Sequence, residues 1–209
     1  MKNKFVIIII LIVIAITANA CGSSESNSVV PGELNSSETQ PTIAPEPTNT
    51  PKPTNTPKPL WNISSSTDEM TEETSYFAIS PYVSPTKLMS SPYDDVVSWI
   101  GVGCSGSYEW VFIGFTTSPN LVNTEIEDGY DRVSTRLKWD DDIETETLYQ
   151  EWGDNFLTFN FDDQIIDKME THDTLLLELD WYGQGNVYFK FPLAGAAEGI
   201  NTIRTHCVP

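Results

Sequence analysis

The chain has 209 residues, and its 30 acidic residues against 11 lysines and arginines give a formal charge of −19. So large a negative charge repels phosphate backbones and argues against a nucleic-acid partner. Hydrophobic residues make up 39% of the chain and are unevenly spread, because residues 1–20 are mostly apolar and residues 21–60 mostly polar. The remaining segment, 61–209, has the length of one ordinary domain.

The N-terminal segment is typical of a bacterial lipoprotein signal peptide. A short cationic stretch precedes an apolar run over residues 5–16, which is too short to span a bilayer and fits a signal-peptide core. Small residues then flank a lone cysteine, Cys21, in a pattern that resembles a lipobox. We expect a signal peptide over 1–20 and a lipid on Cys21 that anchors the protein to the extracytoplasmic face of the cell membrane, at the cell surface or in the periplasm. The alternative is an ordinary secretory signal cleaved after Ala20, with Cys21 left as a free thiol.

Residues 21–60 have the composition of a disordered tether. They are dominated by Pro, Thr, Ser, Asn and Glu and have no hydrophobic periodicity, so they bury too little surface to offset the entropy of ordering. The unit Pro-Thr-Asn-Thr-Pro-Lys occurs twice in tandem, over 47–52 and 53–58. Frequent prolines favour an extended polyproline conformation, which predicts a spacer between membrane and domain. A passive leader without a length requirement is the alternative.

Segment 61–209 has the alternation of apolar and polar residues that is typical of strands. Leu137 and Trp139, for example, share an apolar face of their strand, and Trp181 belongs to another apolar stripe. Short turn-forming runs at 105–107 and 183–185 predict two hairpins. The predicted strands cover 75–79, 96–104, 108–115, 132–139, 145–152, 156–159, 175–181 and 187–191.

Two helices are predicted beside these strands. Asp162 and Asp163 suit a helix N-terminus, and Phe161, Ile165, Ile166 and Met169 would line its buried face. The second helix is predicted over 193–206. The resulting fold class is mainly β: an antiparallel sandwich or partly open barrel of seven or eight strands with two packed helices.

Cys104 and Cys207 remain as a pair once Cys21 is assigned to lipid. Both fall on predicted apolar faces, and an even number of cysteines in an oxidising compartment predicts a disulfide. This disulfide would join the last helix to the first hairpin. The alternative is a catalytic thiol, for which His172 and His206 are the available bases.

The stretch from about Val97 to Cys207 resembles the periplasmic VasI/TagO-type proteins associated with type VI secretion. The matching features are a strand ending at Cys104, the Arg-x-x-x-Arg-x-Lys-Trp-Asp strand over 132–140, Trp152, the segment His-Asp-Thr-Leu-Leu-Leu-Glu over 172–178, and Phe-Pro-Leu-Ala-Gly over 191–195 before the last cysteine. The resemblance implies a non-catalytic envelope module whose two cysteines pair. The lipid anchor and the tether depart from the soluble periplasmic form, so a tethered stand-alone module is expected.

The candidate ligand-binding residues are Trp99, Trp110, Arg132, Arg136 and Lys138. The two tryptophans lie off the core stripes, where an exposed aromatic row would stack on sugar rings. The three basic residues share one face of a strand and suit an anionic wall polymer. The alternative for them is pairing with acidic neighbours across the sheet, which we expect.

No catalytic motif is found in the sequence. The acidic cluster of Asp140, Asp141, Asp142, Glu144 and Glu146 lacks the spacing of a calcium loop, so we interpret it as a solvated turn. We expect no catalytic residues, metal or cofactor, and predict a lipid-anchored, non-enzymatic domain for binding or assembly in the cell envelope, with an envelope protein or glycan as partner. The alternative is a carbohydrate- or cell-wall-polymer-binding module.

Overall fold

The computed structural model describes residues 61–207. The predicted signal peptide over 1–20, the lipidated Cys21 and the tether over 21–60 lie outside the described residues, so these assignments stay predictions.

Within residues 61–207, ten strands form one antiparallel sheet. Across the sheet the strands follow the order β1-β2-β3-β4-β8-β7-β6-β9-β10, and β5 pairs with β6 beside this path. The elements in chain order are β1 Asn62–Thr67, β2 Thr74–Ile79, β3 Ser98–Ser105, β4 Tyr108–Phe115, β5 Glu125–Glu127, β6 Tyr130–Trp139, β7 Asp142–Glu151, β8 Phe156–Phe159, α1 Asp162–Thr171, β9 Thr174–Trp181, β10 Gly185–Pro192 and α2 Ala196–Arg204.

The predicted mainly β class with two helices is confirmed, and the predicted strand count is too low. The two strands that the pattern missed are β1 and β5. The sequence of β1 is Asn-Ile-Ser-Ser-Ser-Thr, and all three residues of β5 are exposed. Both strands bury little apolar surface, so the alternation that identifies a half-buried strand is missing from their sequences.

The single sheet curls into the partly open barrel, rather than two sheets packing as a sandwich. The segment between β2 and β3 helps to close the curl, because Val83 bridges to Ser98 on β3 and Pro85 bridges to Phe189 on β10. Alternate residues of the strands fill the inside, including both predicted core tryptophans. The largest fully buried side chains are Trp139, Trp181, Phe115, Phe189, Phe191, Ile100, Ile113, Leu137, Leu148, Leu157, Ile165 and Ile166.

The helices pack on the strands near the start of the domain. Helix α1 contacts β4, and α2 contacts β1, β2, β3 and α1. Phe161 is 58% exposed, contrary to the expectation that it lines the buried face of α1, because it occupies the N-cap position ahead of the helix. Neither helix in residues 61–207 has the length and apolar character required to cross a membrane.

Helix α2 is shorter than the predicted 193–206. It begins at Ala196 because Gly195 has a φ of 96°, a left-handed conformation that keeps this residue outside the helix. The buried stripe of Ala196, Ile200 and Ile203 follows the predicted spacing. Cys207 therefore lies beyond the helix, in the residues that follow its last turn.

Candidate binding face

Trp99 and Trp110 lie on the outer surface of the sheet, opposite the core. Strand register pairs Trp99 with Gly114, and Gly103 with Trp110, across β3 and β4. The residues between them along these strands, such as Ile100 and Val111, point inward and are fully buried. Both tryptophans are partly exposed. The structure thus places both predicted tryptophans on one surface that solvent reaches.

Seven aromatic side chains form a continuous row on this surface. Ring centroids along the row are 5.1 to 6.2 Å apart, from Tyr82 at one end to Tyr108 at the other. Tyr82 and Tyr108 are each 55% exposed, so the two ends are open to solvent. We call this surface the aromatic face; its members in order along the row are Tyr82, Trp99, Phe156, Phe112, Phe77, Trp110 and Tyr108.

Glycines on the neighbouring strand determine how the two indoles lie. A Cβ added to Gly103 would be 2.4 to 2.8 Å from three atoms of the Trp110 indole, and one added to Gly114 would be 2.3 to 2.7 Å from three atoms of Trp99. The closest atom in each case is Cε2, at the fusion of the two indole rings, so the flat side of the ring covers the glycine. The opposite side of each indole therefore faces away from the sheet.

The aromatic face carries no charge at its strand positions. Among the described residues of β2, β3, β4 and β8, every position that points outward is glycine, serine, threonine, isoleucine or aromatic. The chain as a whole has a formal charge of −19, so an uncharged surface across four strands is a local departure from its composition. Thr158 contributes an exposed hydroxyl next to Phe112 in the register.

Carboxylates adjoin the Tyr108 end of the row. Burial, followed by the charges of Asp162 and Asp163, raises the pKa of the Tyr108 phenol. Asp162 accepts a hydrogen bond of 2.8 Å from the backbone N–H of Val111, and burial raises the pKa of its carboxyl. The phenol therefore stays protonated at neutral pH and keeps its O–H as a donor.

Arg132, Arg136 and Lys138 do lie together on one face of β6, and acidic residues neutralise each of them. Arg136 donates to both carboxylate oxygens of Glu178 across the sheet, which lowers the pKa of Glu178 through hydrogen bonding and raises that of Arg136. The other contacts are Arg132 to Glu125 at 3.7 Å and to Glu127 at 3.6 Å, and Lys138 to Asp141 at 3.3 Å. Pairing with acidic neighbours is the alternative that we expected from the sequence. Each of the three cations therefore already has an acidic partner.

Cys104 and Cys207 are joined in the structure, with their sulfurs 2.02 Å apart and their Cα atoms 6.1 Å apart. The two histidines considered as bases are engaged elsewhere. The ring of His206 stacks on Tyr76 with centroids 4.7 Å apart, and Nδ1 of His172 lies 2.9 Å from the carbonyl oxygen of Lys168. The geometry thus gives the cysteines a linking role between β3 and the residues after α2.

Only Asp140 and Asp141 of the predicted acidic turn lie in the turn between β6 and β7, whereas Asp142, Glu144 and Glu146 belong to strand β7. Asp140 has a φ of 49°, and its carboxylate accepts the backbone N–H groups of Asp173 and Thr174 at 3.2 and 2.9 Å. Hydrogen bonding from Asp173 lowers the pKa of this carboxyl. Within residues 61–207 no group of three histidine, cysteine or acidic side chains is arranged to hold a metal ion.

Sequence reasoning missed five members of the aromatic face: Phe77, Tyr82, Tyr108, Phe112 and Phe156. The pattern of β4 contained part of the information, because Tyr108, Trp110 and Phe112 alternate on its outer side. Glycines opposite aromatics on paired strands are a second indication, but reading it requires the register between β3 and β4.

Comparison with known protein families, with curated proteins and with solved structures gives no match to this chain. The resemblance to the VasI/TagO-type proteins therefore stays a prediction from the sequence.

Proposed function

We propose that this chain is a lipid-anchored, non-enzymatic domain on the extracytoplasmic face of a cell membrane, where it serves binding or assembly in the cell envelope. The lipobox-like sequence at Cys21 supports the anchor, and the Pro/Thr/Ser-rich composition of 21–60 supports a tether that holds the domain away from the bilayer. Two or more acyl chains on one cysteine provide stable anchoring.

The observation that carries the binding role is the uncharged aromatic face. Aromatic residues dominate the energetics of binding sites, and exposed apolar patches on otherwise polar proteins mark interaction surfaces. The surface here spans four strands of a strongly acidic protein, and Trp99 and Trp110 lie over the opposing glycines. Both tryptophans and the two tyrosines at the ends are exposed at least in part, whereas Phe77 and Phe112 between them are buried. Several carboxylates are engaged in ion pairs; Glu109 and Glu170, for example, both pair with Arg204.

Metabolic labelling with palmitate tests the anchor. We expect the full-length protein to take up the label and to fractionate with membranes, and Cys21→Ala to lose both properties because the acceptor thiol is removed. Ser23→Ala is the matched control and should behave as the wild type. Label that persists in Cys21→Ala would contradict the assignment.

Photo-crosslinking in the envelope tests the binding face. A photoreactive residue in place of Tyr82, which is 55% exposed on the aromatic face, should give crosslinks to an envelope component. The same residue in place of Ile143, which is 64% exposed near the turn between β6 and β7, is the control and should give none. Equal crosslinking at both positions would contradict a specific face.

The second candidate function is a carbohydrate- or cell-wall-polymer-binding module. The specific observation in its favour is that Trp99 and Trp110 are both partly exposed on one surface. Hydrolysis of a glycan or wall substrate by the purified protein, abolished by replacing one carboxylate, would overturn both the first and the second candidate, since each is non-enzymatic.

A further inference from the structure

We propose that the aromatic face binds a neutral polysaccharide chain, with pyranose rings stacked on Trp99 and Trp110. This inference rests on the proposed binding function and names its ligand class. It is carried by three observations on the same surface, which are the orientation of the indoles, the absence of charge at the strand positions, and the hydroxyl groups at the ends of the row.

The orientation of the indoles suits the flat side of a sugar ring. Gly103 and Gly114 lie under the flat sides of Trp110 and Trp99, so the other side of each indole faces away from the sheet. Both indoles are partly exposed, and the ring of Tyr108 lies nearly parallel to that of Trp110, with centroids 5.6 Å apart. An aromatic face is electron-rich. The axial C–H groups of a pyranose with equatorial hydroxyls present a flat, weakly positive surface, which complements that π-face.

The charge distribution selects a neutral chain over an anionic one. A polyanion would approach a protein of formal charge −19 and find no cation at the strand positions of β2, β3, β4 and β8 among the described residues. The cations of β6 are held by Glu125, Glu127, Glu178 and Asp141. Binding a neutral chain requires no charge partner, so this surface pays no electrostatic penalty for it.

Hydroxyl groups around the row supply the polar contacts that a sugar also needs. The phenols of Tyr82 and Tyr108 stand at the two ends, each side chain 55% exposed. Thr158, exposed beside Phe112, donates its hydroxyl to the carbonyl oxygen of Tyr149 at 3.3 Å and can still accept a hydrogen bond, and the exposed carboxylate of Asp163 lies near Tyr108. Sugar hydroxyls both donate and accept hydrogen bonds, so phenol, threonine and carboxylate groups are all suitable partners.

Titration of the full-length protein in detergent with defined oligosaccharides tests this inference. The neutral probes are cellohexaose and chitohexaose in its N-acetylated form, and the anionic probe is hexagalacturonate. We expect saturable binding of at least one neutral probe, measured by calorimetry and by tryptophan fluorescence, and no binding of hexagalacturonate. The variants are Trp99→Leu and Trp110→Leu, which keep an apolar side chain over the glycine and remove the π-face.

Each leucine variant should weaken binding about ten-fold, because one stacked ring is lost. Trp152→Leu is the matched control, since Trp152 is 86% exposed in the turn before β8 and makes none of the ring contacts of the row; its affinity should equal that of the wild type. Trp99→Phe retains a ring and should bind with intermediate affinity. This variant keeps the test valid if a leucine variant fails to fold in a thermal melt.

Three results would overturn the inference: no binding of either neutral probe, equal binding by the wild type and both leucine variants, or preference for hexagalacturonate. These failures are distinguishable from failure of the proposed function. Crosslinks from position 82 to an envelope protein, without oligosaccharide binding, would overturn the ligand class and leave the anchored binding domain in place. Absence of the palmitate label would overturn the anchor, while the titration would still show whether the protein binds a neutral oligosaccharide.

Discussion

Gly103 and Gly114 orient the two indoles, and they can do so because glycine has no side chain. Each lies under the flat side of an indole from the neighbouring strand, at distances where no side chain fits. A glycine inside a strand normally weakens it, because it has no side chain to pack. Here the tryptophan covers the exposed backbone, so the pair stabilises the strands and orients the ring at the same time.

Gly103→Ala is expected to destabilise the domain by about 1–3 kcal/mol, because the new methyl group would overlap the Trp110 indole and displace it. Urea unfolding followed by tryptophan fluorescence measures this loss. The same substitution in a Trp110→Ala background should cost less, since the obstructing ring is gone. Equal costs in the two backgrounds would show that the ring does not cover the glycine.

Single residues also show the limit of pattern reading. Alternation placed Trp99 off the core side of its strand, and the structure agrees. Alternation could not choose between a free basic patch and an ion-paired one for Arg136, because the partner Glu178 is 42 residues away in sequence. The choice depended on which strands become neighbours.

The N-terminus of α1 shows how one element docks on another. Asp162 in its first turn accepts the N–H of Val111 from β4, and burial raises the pKa of the Asp162 carboxyl. The folded state therefore disfavours the ionised form. Consequently the contribution of Asp162 to stability is least favourable above the folded-state pKa and improves as pH falls through that value toward the unfolded-state pKa of about 3.9.

Asp162→Asn should remove this pH-dependent component, because asparagine stays neutral and its amide oxygen can still accept the Val111 N–H. The free energy of unfolding, measured by urea titration from pH 7 down to pH 4, should rise less, or fall more steeply, in the variant than in the wild type. Asp167→Asn, at an exposed position of the same helix, is the control. Parallel pH profiles for wild type and Asp162→Asn would contradict the argument.

Elements with a buried face were predictable and those without one were not. The predicted 108–115 and 156–159 match β4 and β8, because the last five residues of β4 are buried and buried residues alternate with more exposed ones in β8. The strands β1 and β5 expose most of their residues, and their pairing comes from backbone hydrogen bonds that any sequence can make. Whether β1 and β5 form therefore depends on β2 and β6, the strands with which they pair.

At the scale of the whole molecule, the Cys104–Cys207 link joins β3 to the residues after α2 across a sequence separation of 103 residues. Closing so long a loop restricts the unfolded chain, and the chain-entropy model gives at most about 4–5 kcal/mol of stabilisation. The link also holds α2 near the strands that it packs on. Together with the ion pairs of Arg204 to Glu109 and Glu170, it ties the end of the domain to β4 and α1.

Reduction by dithiothreitol should lower the melting temperature of the wild type, because the unfolded chain regains its freedom. The double variant Cys104→Ala/Cys207→Ala should melt at a lower temperature and be insensitive to the reductant. Cys21→Ala is the matched control and should respond to reduction as the wild type does. Mass mapping without reductant that finds Cys104 and Cys207 as free thiols would refute the pairing.

The sequence by itself determined the mainly β class, the two helices and the positions of most strands, because periodicity records which side of an element is buried. Its lipobox-like leader and polar tether are likewise local features of composition, and they stay predictions. Only the tertiary structure decided that the strands form one curled sheet, that Arg132, Arg136 and Lys138 are ion-paired, and that seven aromatic rings meet on an uncharged face. These properties depend on register and on contacts between strands far apart in the chain, which no local pattern specifies.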